Sequence, residues 1–455
     1  MNIAIIGGGY VGLTTGVCLA EKGHKVICLD KKKEVVDRIN AGSPLIYEAG
    51  LNDLLSKTLR SGNFIATMDL HSALKGADVI FIAVGTPFDG MEIDLAFIKD
   101  SSAEIGRWLK NHSAYSVIVV KSTVVPTTTE KTVRPILEKE SGKLAGRDFG
   151  LCSNPEFLRE GTAVADFMNP DRIVIGSWDA KSGAVLKNIY EWSDALVVNT
   201  NIRTAEMIKY TSNSLLATLI SFSNEMANLA ATVGDIDIRE VMQGLHLDAR
   251  FNPIVDSKRV NPGMLTYLEA GCGFGGSCLP KDVKAITTFA KKSGIQMGLI
   301  EQVITINEKQ VYEVIRLLKS VYPRLAGIKV AVLGLAFKPH TNDVRESSAI
   351  TIIDELLKQK VDVMGFDPLV KEEFNANLSN GKLTYADSWK DALVGRDAVI
   401  VVTRWPEFYE ITQESLRDLM RNPVLIDARR IYDRMKFKQI DYLGIGYRNN
   451  KDGGQ

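Results

Sequence analysis

Residues 271–282 carry the side-chain types that covalent chemistry would need. Their sequence is Gly-Cys-Gly-Phe-Gly-Gly-Ser-Cys-Leu-Pro-Lys-Asp. Glycines on both sides of Phe274 let the backbone approach a ligand closely, and Cys278 is a candidate nucleophile. Asp282 follows four residues later, within one helical turn if Pro280 starts a helix. Because a free cysteine is by default a small buried apolar residue, this stretch alone leaves both catalysis and packing open for the thiol.

The N-terminal glycines fit a dinucleotide-binding turn. Gly7, Gly9 and Gly12 form GxGxxG directly after an apolar run and before a helical pattern over residues 14–22. Glycine allows the tight turn, the approach of a pyrophosphate and close helix packing, and the helix N-terminus attracts phosphates. Asp30 ends the next predicted strand, where an acid binds ribose hydroxyls and repels a 2′-phosphate. The pattern predicts NAD rather than NADP, with a ligand-free glycine turn as the alternative.

A long helix is predicted over residues 203–233, which contain neither proline nor glycine. Lys209 and Asn213 are four residues apart and therefore share one face of that helix. An ammonium and an amide donor placed together could stabilise developing oxyanions. An ordinary polar helix face is the alternative interpretation.

The elements around these residues predict an α/β protein: two Rossmann-like doubly wound domains joined by a central helical domain with a long connecting helix. The predicted domains are residues 1–200, 201–318 and 319–455. Short β-branched runs alternate with helical patterns in the outer two. The clearest predicted strands cover residues 25–29, 79–84, 116–120, 172–175, 327–334, 362–366, 398–402 and 424–426. Asp30 and Asp367 end corresponding strands. This similarity indicates either an internal duplication of the domain or a sequence pattern that all sheets of this type share.

Composition excludes several classes of function. The 455 residues hold 55 Lys plus Arg and 55 Asp plus Glu, so the net charge of zero creates no field that attracts nucleic acid or an anionic membrane. No signal peptide or bilayer-spanning run is recognisable, so we expect a cytoplasmic protein. The five cysteines are irregularly spaced and no metal-ligand pattern occurs, so neither disulfides nor a metal are expected. Residues 449–455 are polar and are expected to form a loose tail.

Residues 271–282 and five further segments, in the family order, make the sequence similar to the nucleotide-sugar dehydrogenases, the UDP-glucose/GDP-mannose dehydrogenase family. Residues 271–282 resemble that family's GFGGSCxxKD signature. Residues 84–87 resemble its cofactor loop, 121–126 a strand that ends in a threonine near the catalytic centre, and 153–163 with 169–172 its substrate loop. Residues 206–213 resemble its central helix, and residues 334–348 resemble the start of its nucleotide-binding C-terminal domain.

The resemblance implies an NAD-dependent four-electron oxidation. A primary alcohol would lose hydride to become an aldehyde, and the Cys278 thiolate would attack that aldehyde. The thiohemiacetal would lose a second hydride to give a thioester, which water would hydrolyse. The segments look most like enzymes that convert UDP-glucose to UDP-glucuronate, with GDP-mannose and UDP-N-acetylhexosamine 6-dehydrogenases as alternatives. A two-electron dehydrogenase, or a nucleotide-binding protein without catalysis, are the rivals outside this chemistry.

The resemblance also assigns roles to residues. Cys278 would be the nucleophile, Lys209 and Asn213 would stabilise oxyanions, and Asp282, Thr123 and Glu160 would position or activate water. Cofactor contacts are expected from Gly7, Gly9, Tyr10, Val11, Gly12, Asp30, Thr86, Thr123, Glu156 and Arg345. Substrate contacts are expected from Phe157, Leu158, Glu160, Lys209, Asn213, Arg259, Tyr267, Leu268, Gly273, Phe274, Gly275, Phe337, Lys338 and Arg429.

Two features remain open in this assignment. The family places an arginine shortly before its cysteine signature, but the corresponding stretch is longer here, and Arg259 is chosen over Arg250. The second glycine turn, residues 334–337, lacks the full fingerprint and is a poor candidate for NAD. By resemblance it would hold the nucleotide diphosphate of the substrate, with Lys338 and Arg345 providing positive charge. The family also implies a homodimer or a higher homo-oligomer.

Overall fold

The computed structural model describes residues 1–447, so the predicted tail lies outside the described residues. The chain divides into two compact units, Met1–Ser212 and a second one that begins at Asn213. The dividing point falls inside one helix, and the predicted boundaries at 200/201 and 318/319 therefore stay a prediction.

The first unit is built on an eight-stranded sheet with the order β3-β2-β1-β4-β5-β6-β7-β8. The predicted parallel pairing is confirmed for β1 to β6, whereas β7 is antiparallel to β6. Its strands are β1 (Asn2–Ile6), β2 (Lys25–Leu29), β3 (Phe64–Thr67), β4 (Val79–Ile82), β5 (Val117–Val120), β6 (Gly150–Ser153), β7 (Arg172–Ser177) and β8 (Leu196–Thr200). Its helices are α1 (Tyr10–Glu21), α2 (Lys33–Asn40), α3 (Leu51–Arg60), α4 (Leu70–Leu74), α5 (Ala96–Lys110), α6 (Arg134–Ser141), α7 (Ala163–Met168) and α8 (Ala180–Asn188).

Both faces of this sheet are buried at its central strands β1, β4, β5 and β6, as expected of parallel strands covered by helices, whereas the edge strand β8 is largely exposed. Along β1, Ile3 and Ile5 join the core on one face, while Ala4 and Ile6 join the core on the other. This alternation follows from the two-residue period of a strand.

Helix α9 (Ile202–Val233) confirms the predicted long helix and continues from the first unit into the second. A mostly helical region follows, as predicted, with α10 (Ile238–His246), α11 (Leu279–Lys292), α12 (Gly298–Val321) and a short hairpin of β9 (Ile254–Val255) and β10 (Lys258–Arg259). The turn of the hairpin is formed by Asp256 and Ser257, both in the left-handed region, with φ values of 50° and 61°.

The second unit ends in a six-stranded parallel sheet with the order β13-β12-β11-β14-β15-β16. Its strands are β11 (Lys329–Leu333), β12 (Asp362–Phe366), β13 (Thr384–Tyr385), β14 (Ala398–Val401), β15 (Val424–Asp427) and β16 (Asp441–Gly444). Its helices are α13 (Ser348–Lys358), α14 (Trp389–Leu393) and α15 (Gln413–Leu419). The first six strands of each sheet share the relative order 3-2-1-4-5-6, which is the doubly wound order of dinucleotide-binding folds. The predicted fold class is therefore confirmed.

None of the helices within residues 1–447 has the length and apolar composition needed to cross a bilayer.

Candidate active site

The glycine turn after β1 has the geometry that a dinucleotide requires. Gly7 has a φ of +111°, and a Cβ there would lie 2.6 Å from the Ala83 carbonyl oxygen. A Cβ on Gly12 would lie 1.9 Å from the Gly7 carbonyl oxygen, which explains why α1 can start at Tyr10, four residues earlier than predicted. At Gly9 a Cβ would meet nothing within 4 Å. The turn is thus tight on its protein side and open at Gly9, which fits a diphosphate.

Asp30 and Asp367 follow corresponding strands but have different surroundings. Asp30 is half-buried and accepts hydrogen bonds from the amides of Gly8 and Lys32, at 2.9 Å each. Asp367 is 2% exposed and accepts bonds from the Leu335 amide and the Trp405 indole, at 2.8 and 3.0 Å, and burial raises its pKa. A covered carboxylate is poorly placed to bind ribose hydroxyls. The structure thus favours the first turn as the dinucleotide site, in line with the prediction.

The other predicted cofactor residues of the first unit lie around the same sheet edge. The Thr86 hydroxyl donates to the Thr123 carbonyl oxygen at 2.9 Å, which joins the loops after β4 and β5. Val11 is half-buried in the first turn of α1. The Tyr10 hydroxyl donates to the carboxylate of Glu48, a residue that sequence reasoning missed.

The predicted substrate loop after β6 holds a buried ion pair. The Lys209 ammonium lies 3.0 Å from a Glu156 carboxylate oxygen, and the two side chains are 5% and 6% exposed. The Phe157 ring is flanked by the Arg172 guanidinium and by Lys209, at 3.9 and 5.5 Å from the ring centroid. A pair this deeply buried requires well-placed partners to offset desolvation. Glu156, expected to contact the cofactor, therefore also holds the Lys209 ammonium in place.

Leu158 and Glu160 lie farther along this loop, and both are half-buried. The Leu158 amide donates to the Glu156 carboxylate at 2.5 Å, which holds the start of the loop against the ion pair.

Lys121 is a second buried lysine, and sequence reasoning assigned it no role. Its ammonium donates to the Asn154 side-chain oxygen at 2.9 Å, which also accepts a 2.6 Å bond from the Tyr190 hydroxyl. Burial lowers the pKa of Lys121, Glu156 opposes this shift and Lys209 adds to it, and the resulting pKa is about 8. A cavity of about 100 Å³ lies beside the group. Its lining includes Lys121, Asn154, Glu156, Phe157, Arg172 and Tyr190.

Cys278 differs from the other cysteines in exposure and position. Cys18, Cys28, Cys152 and Cys272 are buried, whereas Cys278 is partly exposed. Burial raises the thiol pKa of Cys18, Cys28 and Cys152 to about 12, so these three stay protonated. Cys278 is the N-cap residue of α11, and a helix N-terminus stabilises a thiolate. The structure thus gives Cys278 the environment of a reactive cysteine.

Asp282 and Asn213 meet in the second unit. The Asn213 amide donates to one Asp282 carboxylate oxygen at 2.6 Å, and the Lys281 ammonium donates to the other at 2.5 Å. Asp282 is 1% exposed, and its amide donates to the Cys278 carbonyl oxygen at 2.9 Å. Pro280 lies in the first turn of α11, close to the predicted start. Asp282 therefore lies one helical turn after Cys278, as the spacing predicted.

The glycines before Cys278 pack against loops of the six-stranded sheet. A Cβ on Gly275 would lie 2.1 Å from the Glu346 carbonyl oxygen, and one on Gly276 would lie 2.7 Å from the Phe337 ring. The Gly276 amide donates to the Arg345 carbonyl oxygen at 2.9 Å, and Arg429 donates to the Gly273 carbonyl oxygen at 2.7 Å. Three residues predicted from distant segments, Phe337, Arg345 and Arg429, thus meet at this loop.

Asn307 on α12 is a further residue that sequence reasoning missed. Its side chain accepts from the Phe274 amide at 2.8 Å and donates to the Phe274 carbonyl oxygen at 3.0 Å. Both backbone groups of Phe274 are fixed in this way. A single asparagine within a helical pattern gives no signal of such a role.

The remaining predicted substrate and cofactor residues are distributed over the second unit. Lys338 lies 5.7 Å from the Phe337 ring centroid, and Arg345 forms a two-pronged contact with Asp343 at 2.7 and 2.9 Å. Tyr267 ends a 3₁₀ turn (Gly263–Tyr267), and Leu268 behind it is buried. Their roles stay predictions.

The two alternative arginines are held by protein groups. Arg259 donates to the carbonyl oxygens of Leu247 and Asn252 at 2.9 and 3.3 Å, which closes the base of the hairpin. Arg250 pairs with Asp248 at 2.5 Å and is largely exposed. The choice of Arg259 over Arg250 therefore stays a prediction. Across residues 1–447, no cluster of three or more His, Cys, Asp or Glu side chains is arranged to hold a metal ion.

Comparisons with known proteins cover nearly the whole chain. Residues 1–194 match the NAD binding domain of the UDP-glucose/GDP-mannose dehydrogenase family, residues 203–309 its central domain and residues 331–434 its UDP binding domain. A UDP-glucose 6-dehydrogenase of Bacillus subtilis is 41% identical, over 97% of this chain and 92% of its own length. One from Haloferax volcanii is 38% identical, over 98% of this chain and its entire length.

Solved structures of nucleotide-sugar dehydrogenases are also similar to this chain over nearly its full length. A UDP-glucose dehydrogenase from Pyrobaculum islandicum is 35% identical, with a TM-score of 0.88 and 98% of both chains covered. A UDP-D-ManNAc dehydrogenase from Pyrococcus horikoshii is 28% identical, with a TM-score of 0.84, and the match covers 98% of this chain and 99% of that one.

Proposed function

The chain belongs to the UDP-glucose/GDP-mannose dehydrogenase family, and from that premise we propose that it oxidises UDP-glucose to UDP-glucuronate with NAD as the acceptor. The observation that carries this proposal is the exposure and position of Cys278. It is a partly exposed thiol at a helix N-terminus, beside a buried aspartate, in a chain whose other cysteines are buried. Oxidation of an alcohol to the aldehyde alone would not require it.

The proposed reaction takes the sugar C6 alcohol to a carboxylate in four steps. When bound, NAD supplies the hydride acceptor for each of the two oxidations. The alcohol loses a hydride and a proton to give an aldehyde. The Cys278 sulfur then bonds to the aldehyde carbon while the carbonyl π bond opens and the oxygen takes up a proton, which gives a thiohemiacetal. Loss of a second hydride and a proton leaves a thioester. Water breaks the carbon–sulfur bond, which releases the carboxylate and regenerates the thiol.

The proposed roles follow from the charges around each residue. The Lys209 ammonium would stabilise oxyanions, and the Glu156 carboxylate at 3.0 Å orients it. Asn213 directs its amide to Asp282, so both are pre-ordered for proton handling or water placement. Glu160 and Thr123 on the first unit are proposed to position water. Lys209 and Asn213 lie one turn apart on α9.

We propose that the NAD turn is Gly7 to Gly12 with Asp30, and that the loops after β11 and β15 hold the nucleotide of the substrate. Lys338, Arg345 and Arg429 supply the positive charge there, since guanidinium and ammonium groups bind phosphate. Gly273, Phe274 and Gly275 are proposed to contact the sugar nucleotide through the backbone that Asn307 and Arg429 hold in place.

We also propose a homodimer that pairs α9 with its copy. Leu215, Phe222 and Leu229 are spaced seven residues apart on this helix and are 51%, 44% and 57% exposed. Seven residues are close to two helical turns, so the three side chains form one stripe, called the α9 stripe below. A stripe of large exposed apolar side chains is typical of an interface between subunits. Five free cysteines are consistent with the proposed cytoplasmic location.

A panel of nucleotide sugars tests the substrate. The protein is incubated with NAD and, in separate reactions, UDP-glucose, GDP-mannose, UDP-N-acetylglucosamine and UDP-N-acetylmannosamine, and NADH is followed at 340 nm. We expect kcat/KM to be highest with UDP-glucose, and formation of UDP-glucuronate to stop in Cys278→Ser. The chemically similar change at a buried cysteine, Cys152→Ser, is the matched control. A higher kcat/KM with another sugar, or acid formation by Cys278→Ser, would contradict the proposal.

A further inference from the structure

Glu48 is a buried carboxylate that none of the proposed roles uses. It lies in the loop between α2 and α3 and is 5% exposed. One carboxylate oxygen accepts a 2.7 Å hydrogen bond from the Gly161 amide and a bond from the Tyr10 hydroxyl. The other accepts a 2.7 Å bond from the Ala163 amide. The Gly161 amide also lies 3.1 Å from the Tyr10 oxygen. Three separate chain segments therefore meet at one buried charge.

The ends of this connection are next to two functional positions. Tyr10 directly follows Gly9, the open position of the dinucleotide turn. Gly161 directly follows Glu160, the carboxylate proposed to position water. Gly161 has a φ of +83°, so this turn of the loop needs glycine to adopt its shape. A displacement at either end would be transmitted through Glu48 across only a few bonds.

The charge makes this connection stiff. A buried carboxylate is costly unless hydrogen-bond donors surround it, so the arrangement with all three donors in place is strongly preferred. Burial and the hydrogen bond to Glu48 both raise the pKa of Tyr10, so the phenol keeps its proton and remains a donor. The loop that carries Glu160 therefore moves only if the glycine turn moves with it.

We propose that Glu48 is a positioning residue that couples occupation of the dinucleotide turn to the placement of Glu160. The proposal rests on the function proposed above for Glu160. When the turn is filled, Tyr10 is clamped, and through Glu48 the amides of Gly161 and Ala163 are held in the position that orders the loop. Hydrolysis of the thioester is the step that depends on this placement, because it needs a water molecule directed at the acyl carbon.

Hydrogen exchange measured by mass spectrometry tests the coupling without any sugar. In the ligand-free protein, Glu48→Gln should speed exchange at Gly161 and Ala163 by about tenfold, since one amide loses an ionised acceptor. Adding NAD alone should slow exchange in residues 158–165 of the wild type. In Tyr10→Phe, which keeps the carboxylate and both amide bonds, a saturating concentration of NAD should no longer slow exchange in residues 158–165.

Tyr115→Phe is the matched control, because the Tyr115 hydroxyl is buried and makes no hydrogen bond to any of residues 1–447. It should behave as the wild type. If NAD slows the loop equally in Tyr10→Phe and in the wild type, or does not slow it in the wild type, the coupling is refuted. Because these measurements use NAD without substrate, their outcome does not depend on which sugar the enzyme oxidises.

A kinetic readout separates positioning from a loss of fold. In Glu48→Gln we expect a normal initial burst of NADH and a slowed steady rate, since both oxidations precede hydrolysis. KM for the nucleotide sugar should stay close to that of the wild type. A reduced burst with an unchanged steady rate per active molecule would indicate fewer folded molecules and would overturn the positioning role.

Discussion

At the scale of single residues, partial exposure sets Cys278 apart from the other cysteines, and a buried ion pair sets Lys209 apart from surface lysines. Cys278 could be singled out from the sequence by the glycines around it and by Asp282 four residues later. Its exposure could not be predicted, because it depends on how distant loops pack. Lys209 could be placed on a helix face, but its ion pair with Glu156 joins residues 53 positions apart, and no local pattern encodes that contact.

Lys121 gives a prediction about stability at alkaline pH. Its pKa is lowered from 10.5 to about 8 by burial first and by Lys209 second. Between these values the unfolded chain binds more protons than the folded one, so this group makes the free energy of unfolding rise as pH increases from about 8 to 10.5. The contribution is at most about 3 kcal/mol. It should be absent from Lys121→Met.

Urea denaturation of both proteins between pH 7.5 and 10.5 measures this difference. The difference in unfolding free energy, wild type minus variant, should increase with pH. Parallel curves would show that Lys121 is not perturbed in the folded protein.

At the scale of elements, the periodic patterns predicted most of the architecture. The strands Lys25–Leu29 and Asp362–Phe366 and the helix Ile202–Val233 lie where the sequence placed them, to within one residue. Helix α1 starts four residues earlier than predicted, because the glycines that disfavour a helix locally are required there for close packing. No pattern in the sequence indicated that β7 pairs antiparallel with β6, because strand direction depends on the connection between the two strands rather than on their composition.

Glu206 gives a prediction for one such connection, between α9 and the turn after Thr123. Its carboxylate accepts bonds from the amides of Thr127 and Thr129 at 2.7 and 2.9 Å, and Thr127 has an unfavourable φ of 78°. Burial raises the pKa of Glu206 from 4.5 to about 7, although these hydrogen bonds oppose the shift. Between pH 4.5 and 7 the folded state therefore binds more protons, and this group lowers the free energy of unfolding as pH rises.

Glu206→Gln should remove this dependence. Unfolding free energies of the wild type and the variant are compared between pH 4.5 and 8. The difference, wild type minus variant, should fall with pH and level off above about pH 7. A difference that stays constant across the range would contradict the assignment.

At the scale of the whole molecule, the first six strands of the two sheets have the same order, but the turns after their first strands differ. The first keeps an open glycine and a half-buried Asp30, whereas in the second Trp405 covers Asp367. The missing glycines predicted this difference in part, but the covering indole could not be foreseen, because it follows a different strand. The helical region between the sheets could be recognised from the fading strand signal alone.

The α9 stripe gives a prediction about assembly. Phe222→Glu with Leu229→Glu would place two charges in the proposed subunit interface, where desolvation disfavours them. Light scattering after gel filtration should report about twice the 50.1 kDa chain mass for the wild type and the single chain mass for the double variant. Leu299→Glu, equally apolar and 69% exposed but on α12, should leave the mass unchanged. A monomeric wild type, or a dimeric double variant, would refute the interface.

The central claim is that one protein carries out two successive oxidations, the second of them on a covalent adduct with Cys278. Its most direct test is to measure the number of NADH molecules formed for each UDP-glucose consumed, with NAD in excess and the reaction run to completion. We predict two NADH per UDP-glucose, with UDP-glucuronate as the product. One NADH per UDP-glucose, with the aldehyde accumulating, would contradict the account.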